Sequence, residues 1–459
     1  MLLRRKNSAN QLINKNMPKY KLAINGGPKV RYKKFPFCTP IGREEIKAAT
    51  EVLKSGILSQ FLGSWHESFY GGPQVQQLEK EWAAFYKVKH AVSVNSATSA
   101  LICAVGAAGI SPGDEVIVTP YSMCVSATAP LFYGAIPVFA DIEEDYLCLN
   151  PKSIEQKITK RTRAIIVADI LGQPYDAAAI NKLARKYKLI VIEDAAQAPG
   201  AKYKGKYAGT LADMGIYSLN YHKHIHTGEG GILVTDDDIL AERARMIRNH
   251  ADAVIDSRPL KLLKKKSIGS YVNMLGYNFR MTELEAAVAR QQLKKIKKFN
   301  TERLKNVNYL AKKLSVIPFI KSLKKRPGCE HVYYMPAFSF DEIIAGVARD
   351  KFIKAVAAEL SPMAKRENEG VLIETGYVKP LYLLPIFQKQ ICYGSKGYPF
   401  RSPYYKGKLS YQKGLAPVCE YHHYHDLFLI ELIMPGLSRR DLDDIAEAFY
   451  KVWRNLGEL

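Results

Sequence analysis

No two of the seven cysteines in this 459-residue chain are spaced as a CxxC pair, and their number is odd. That argues against a four-cysteine zinc site and a disulfide framework. It fits a reducing cytosol, so the expected location is cytoplasmic. Long hydrophobic runs are also missing. The longest apolar stretch, near Leu101 to Ile110, is too short to span the hydrocarbon of a bilayer. No acidic residue precedes Glu44, yet the opening MLLRRKNSANQLINKN has no apolar h-region, so no secretory signal is expected. Residues 1–21 read as a basic, disordered leader, or as sequence upstream of a true start at Met17. Internal repeats and low-complexity tracts are absent too.

Positive charge is what the chain has in excess, +23 at neutral pH. The denser basic runs, Lys261 to Lys266 and Lys294 to Lys298, lack interleaved aromatics, so they read as solvated faces and not as a nucleic-acid surface. A basic surface also attracts anionic small molecules. The 47% hydrophobic content supports a large core, enough for one large domain and a smaller companion. No membrane partner is expected.

From His90 to Val234 short β-rich runs alternate with helical ones. Strands are predicted at His90 to Val94, Glu115 to Thr119, Ile136 to Ala140, Ala164 to Ala168, Ile190 to Glu193, Ile216 to Leu219 and Gly231 to Thr235. Helices are predicted at Thr98 to Ala108, Ala127 to Tyr133 and Ala177 to Tyr187. This alternation implies an α/β fold: a mostly parallel sheet covered by helices, with ligands at the carboxyl ends of its strands. Thr282 to Tyr309 reads as a long charged helix. Beyond it lies a smaller α+β C-terminal domain with a strand at Val332 to Ala337 and a closing helix at Arg439 to Leu456. The expected division is residues 22–290 for the large domain and 291–459 for the small one.

Three segments carry chemistry. The strand from Leu189 runs into Asp194 in LIVIEDAAQAPG, and a carboxylate at a buried strand end is costly without a cationic partner. It could alternatively cap the next helix. Lys223 follows the strand ending at Leu219, beside the glycine-rich TGEGG turn. A lysine amine opposite a strand-end aspartate suits pyridoxal 5'-phosphate: the aldehyde needs an amine, and the pyridinium nitrogen an acidic partner. VNSATSAL, from Val94 to Leu101, places small hydroxyl residues at a helix N-terminus, where backbone N–H groups would hold a phosphate.

Together these segments resemble the sugar aminotransferase family called DegT/DnrJ/StrS, which are fold-type-I pyridoxal-phosphate enzymes. The resemblance runs from about Leu22 to the C-terminus. It is carried by SGILS (Ser55 to Ser59), NSATSAL, SPGDEVIVTP (Ser111 to Pro120), GAIPVFADI (Gly134 to Ile142), GQPYD (Gly172 to Asp176), EDAAQAPGAKYKGKYAG, HKHIHTGEGG and GYNFRMTELEAA (Gly276 to Ala287). It implies that Lys223 bonds the cofactor and later moves a proton between substrate carbon and cofactor. It further implies that Asp194 pairs with the pyridine nitrogen, that Gln197 meets the phenolic oxygen, and that Thr98, Ser99 and Ser218 bind the phosphate. Asn278 would reach the phosphate of the neighbouring subunit, which implies a homodimer with shared sites. The implied amino donor is L-glutamate or L-glutamine. The implied acceptor is a keto-sugar on a nucleotide, or a keto-cyclitol, in polysaccharide, lipopolysaccharide or secondary-metabolite synthesis.

The chain departs from the family pattern at Pro199 and Asn220, where many members carry histidine. It departs again at Cys124, where many carry an aromatic that stacks on the cofactor; Tyr121 lies nearby. His222, His224 and His226 would share one face of an extended segment, with Lys223 opposite. They read as imidazoles lining a polar cleft, with His222 and His226 as substrate contacts, and no metal is expected because acidic or cysteine ligands do not accompany them. Glu229 reads as a turn-fixing acceptor. Tyr377, Lys379, Tyr382, Lys396, Tyr398 and Arg401 fall in a loop-rich aromatic stretch that either closes over the sugar or packs into the small-domain core. Rival functions are a pyridoxal-phosphate sugar dehydratase and a non-catalytic cofactor- or sugar-binding sensor.

Overall fold

The structure is a computed structural model and describes residues 21–64, 66–251 and 274–459. Most of the N-terminal leader and the Lys261 to Lys266 run therefore lie outside the described residues.

Seven strands form the central sheet: β1 (His90–Val94), β2 (Glu115–Val118), β3 (Ile136–Phe139), β4 (Thr162–Ala168), β5 (Ile190–Asp194), β6 (Met214–Ser218) and β7 (Gly231–Thr235), in the spatial order β1-β7-β6-β5-β4-β2-β3. Strands β6, β5, β4, β2 and β3 are parallel; β7 runs against both its neighbours. Their valine- and isoleucine-rich sequences are buried on both faces, as strands sandwiched between helix layers require.

The helix α1 (Ala97–Ala107) is apolar all round and is buried from Ser99 onward. It begins at Ser96, whose Oγ accepts the Ser99 N–H at 3.1 Å. In α2 (Ala177–Tyr187) the buried residues Ala177, Ile180, Leu183 and Ala184 recur at helical spacing, and the Asp176 carboxylate caps it through the Ala179 N–H.

The long helix α3 (Glu283–Leu314) starts at a Thr282–Glu285 capping box and runs about 48 Å at 1.5 Å per residue. Its first half packs Ala286, Ala289, Leu293 and Ile296 against the large core. Its second half sends Val307, Leu310 and Leu314 into a second core, built on a four-stranded antiparallel sheet. That sheet comprises β8 (Ile320–Ser322), β9 (Ala337–Phe340), β10 (Ile373–Thr375) and β11 (Leu427–Ile430), in the order β8-β9-β11-β10. The closing helix α4 (Arg439–Arg454) covers it with Leu442, Ile445, Phe449 and Val452. The chain from Leu22 to Phe35 lies on this second unit, where Arg31 pairs with Asp441 and Asp444.

Two expectations change. Val332 to Ala337 is not a strand. Val332 N–H donates to the Gly172 carbonyl at 3.1 Å and Tyr334 N–H to the Leu171 carbonyl at 2.8 Å, while Pro336 has no N–H to give. The strand starts only at Ala337. The aromatic stretch is loop-rich, as expected, but it neither roofs the cleft as a whole nor joins the small core. Tyr382, Phe387 and Tyr411 pack on Phe139 of β3, and Tyr411 Oη donates to the Pro137 carbonyl at 2.9 Å. The stretch thus covers the edge strand of the large sheet, which bare would expose unpaired backbone groups.

Candidate active site

Asp194 is the last residue of β5, in register with Ala168 of β4 and Ile216 of β6 at the carboxyl end of the sheet. Its side chain is buried. Oδ1 accepts the Ala196 N–H at 3.1 Å and Oδ2 accepts the Ser126 hydroxyl at a long 3.4 Å. Among the described residues no ion pair holds it. Burial raises its pKa, against the Ala196 amide, the Lys223 charge and the Ser126 hydroxyl. A buried carboxylate with this little compensation fits a cationic N–H donor such as a pyridinium.

Lys223 is half-buried on the turn after β6. Burial pushes its pKa down to about 8, while the carboxylates of Asp194 and Glu431 act in the opposite sense. An amine held there is neutral in an appreciable fraction near neutral pH, the form that attacks an aldehyde. Its turn is braced by Asn220, whose Nδ2 donates to Glu229 Oε1 at 3.0 Å, so Glu229 is a turn-fixing acceptor. The lysine opens onto a cleft of about 390 Å³ lined also by Phe37, Cys38, His222, Arg303 and Arg366.

The hydroxyl residues converge. Ser218 sits opposite Gly231 in the β6–β7 pair. A Cβ on Gly231 would lie 2.4 Å from the Ser96 carbonyl carbon, so only glycine lets β7 pass this close to the start of α1. Ser218 and the first turn of α1 are thereby brought to one place. There Thr98 is exposed, and Ser99 is buried with its Oγ donating to Asn95 Oδ1 at 2.6 Å. The free N–H groups of that first turn and the Ser218 hydroxyl suit a phosphate.

Gln197 is buried, with Oε1 accepting the Leu171 N–H at 2.7 Å and Nε2 donating to Tyr377 Oη at 2.9 Å. Tyr121 is fully buried, and its hydroxyl accepts the Tyr377 N–H at 2.7 Å. Its ring meets Tyr377 edge-on, with centroids 5.9 Å apart. Cys124 is exposed, immediately before the short helix that carries Ser126. Tyr377 is therefore the member of the aromatic stretch that reaches the site, and Lys379 lies exposed beyond it. Asn278 is exposed; its Oδ1 accepts from Arg280 Nε at 2.7 Å, and the carbonyl of the next residue, Phe279, accepts the Asn95 N–H at 2.9 Å.

Residues 221–225 form turns and bends, so Lys223 is not set opposite the three histidines of an extended segment; His222, His224, His226 and Lys223 all line the one cleft. His222 is exposed beside Arg366. His224 is buried with Nε2 on the Val332 carbonyl at 3.1 Å. His226 packs edge-on to Tyr221, and burial lowers its pKa. Ser126, Tyr334, Arg366 and Glu431 escaped the sequence reading. Tyr334, Arg366 and Glu431 are brought in by chain far from the motifs, and Ser126, two residues after Cys124, carries no local signal of its contact with Asp194.

Seven strands with a carboxylate at the end of β5, a lysine after β6 and hydroxyl residues gathered at a helix N-terminus define a cofactor-binding α/β enzyme. The chain belongs to the DegT/DnrJ/EryC1/StrS aminotransferase family, whose model matches residues 40–414. It is a pyridoxal-phosphate-dependent aminotransferase. The Bacillus subtilis (strain 168) spore coat polysaccharide biosynthesis protein SpsC is 34% identical over 417 residues, covering 90% of this chain and 95% of that protein. A putative L-glutamine:3-amino-2,3-dideoxy-scyllo-inosose aminotransferase of Streptoalloteichus tenebrarius is 30% identical over 444 residues, covering 95% and 99%. S. venezuelae DesV, solved in complex with a ketimine intermediate, superposes with a TM-score of 0.71 at 29% identity, over 90% of this chain and 94% of that one. Among the described residues no helix is long and apolar enough to cross a membrane.

Proposed function

We propose that the protein moves the amino group of L-glutamate or L-glutamine onto a nucleotide-linked keto-sugar or a keto-cyclitol, for polysaccharide or secondary-metabolite synthesis. The observation that carries this is the Lys223 amine on the turn after β6, opening onto the cleft, with the buried Asp194 carboxylate at the end of the neighbouring strand acting on its charge. The names of the two relatives, one in polysaccharide synthesis and one acting with L-glutamine on an amino-inosose, support a sugar or cyclitol acceptor.

In this reading Lys223 holds the cofactor and moves protons at its Nζ. Asp194 keeps the pyridine nitrogen protonated, Gln197 donates to the phenolic oxygen, and Thr98, Ser99 and Ser218 hold the phosphate. Pyridoxal phosphate supplies the electron sink that makes the substrate carbon acidic. Tyr121 and Cys124 border the ring; His222, His226, Tyr377 and Lys379 face the substrate. The protein works as a cytoplasmic homodimer, in which Asn278 reaches the partner's phosphate. Supporting that surface, Leu58, Leu62 and Leu275 are exposed near Asn278. Asn249 pairs with Asn278 and donates to the Leu62 carbonyl at 2.8 Å.

The test is the visible spectrum of the holoprotein before and after L-glutamate or L-glutamine. Loss of the lysine-bound cofactor band on donor addition, with 2-oxo acid released, is expected. A band that persists with both donors contradicts the reading and favours elimination chemistry.

A further inference from the structure

The Lys223 Nζ lies over the face of the Tyr334 ring, 4.2 Å from its centroid. Tyr334 is buried, and ordinary strand packing does not put it there. Its segment crosses the large sheet's carboxyl end by donating the Val332 and Tyr334 N–H groups to the carbonyls of Gly172 and Leu171. Leu171 donates its own N–H to Gln197 Oε1 at 2.7 Å. The Tyr334 carbonyl accepts from Arg303 Nη1 at 3.4 Å. Both Leu171 and the neighbouring Tyr333 adopt positive φ, 56° and 52°, a conformation that residues with side chains rarely take. The backbone on both sides of this crossing is held in a costly shape, and its result is an aromatic face presented to the lysine. The Glu431 carboxylate, which acts on the lysine, is itself fixed by Arg366 Nη2 at 2.7 Å.

The geometry points to Tyr334 as a positioning residue for Lys223, its ring face being the seat on which the amine rests whenever it is not bonded to the cofactor. This rests on the reading of Lys223 as the cofactor-binding lysine. An aromatic face attracts an ammonium far more than a neutral amine. It therefore offsets burial, which favours the neutral form, and keeps both protonation states accessible. It also limits the free amine to one place, so that Nζ takes up a proton and returns it from the same position. The contact is made by the ring and not by the hydroxyl, so phenylalanine preserves it and an aliphatic side chain does not.

The experiment follows the rate at which the full-length apoprotein takes up pyridoxal phosphate, read by the visible band, as a function of pH. Uptake needs the neutral amine, so the rate rises with pH to a break at the Lys223 pKa. Wild type should break near 8, and Tyr334→Phe should match it. Tyr334→Leu and Tyr334→Met should move the break down by about one pH unit, the worth of one partly desolvated cation–π contact. The donor half-reaction should slow in the Leu and Met variants and not in Phe. Two aliphatic variants are used so that one poorly folding protein does not decide the matter. An unmoved break in either aliphatic variant, or an equal shift in Phe, overturns the role of the ring face. A wild type that forms no band overturns the Lys223 assignment beneath it.

Discussion

The Gln197 side-chain amide is held at both ends: Oε1 takes the Leu171 N–H at 2.7 Å, and Nε2 gives one hydrogen to Tyr377 Oη at 2.9 Å. The amide nitrogen carries two hydrogens, so one remains for the cofactor's phenolic oxygen. Tyr377 comes from the C-terminal third of the chain and fixes which way that hydrogen points. Tyr377→Phe is expected to raise the cofactor's dissociation constant about fivefold, the worth of one neutral hydrogen bond. Equilibrium titration of apoprotein with pyridoxal phosphate measures this; an unchanged constant means Tyr377 does not orient Gln197.

Behind Asp194, Asp169 and Glu193 are both fully buried, and one oxygen of each, Asp169 Oδ2 and Glu193 Oε1, meets no donor other than the neighbouring carboxyl. Burial raises both pKa values, Glu193 to about 7; the Glu193 charge and the hydrogen bond between the two carboxyls raise Asp169 further, while that same bond opposes the rise of Glu193. A raised acid pKa in the folded state means that the folded protein binds more protons than the unfolded one between the two values. The contribution of Glu193 to stability is therefore full below about pH 4.5, the ordinary glutamate value, and is lost as pH rises through about 7. Glu193→Gln should make the fall in thermal midpoint over that window shallower. Parallel wild-type and variant profiles would show that the pair does not titrate there.

If Asn278 serves the partner's site, two inactive variants should complement. Mixed subunits of Lys223→Ala and Asn278→Asp leave one intact site in each heterodimer, so refolding them together at equal amounts should restore about a quarter of wild-type activity. No recovery above either parent would place Asn278's action within its own chain.

Much of the large sheet was legible because its strands are short apolar runs between turn residues, and buried parallel strands must look that way. The ends of β5 and β6 could be read for the same reason: a polar residue closing an apolar run, as Asp194 does, stands out. Val332 to Ala337 misled because its residues suit a strand, while its amides are spent on Leu171 and Gly172, more than 150 residues away. The aromatic stretch was misplaced because composition signals burial but not which core receives it; Phe139 on the edge strand does. Ser126 and Tyr334 were invisible because their contacts with Asp194 and Lys223 are purely tertiary. Lys223 is not opposite the three histidines as an extended segment would set it, because Asn220 and Glu229 close a turn there; all four line one cleft.

The central claim is that Lys223 bonds the cofactor. Borohydride reduction of the holoprotein, which turns the C=N bond into a stable secondary amine, followed by peptide mass spectrometry, tests it most directly. The account predicts the pyridoxyl group on Lys223 alone in wild type, and none on the corresponding peptide of Lys223→Ala, which should also lack turnover. A label on another lysine, or turnover surviving in Lys223→Ala, would contradict it.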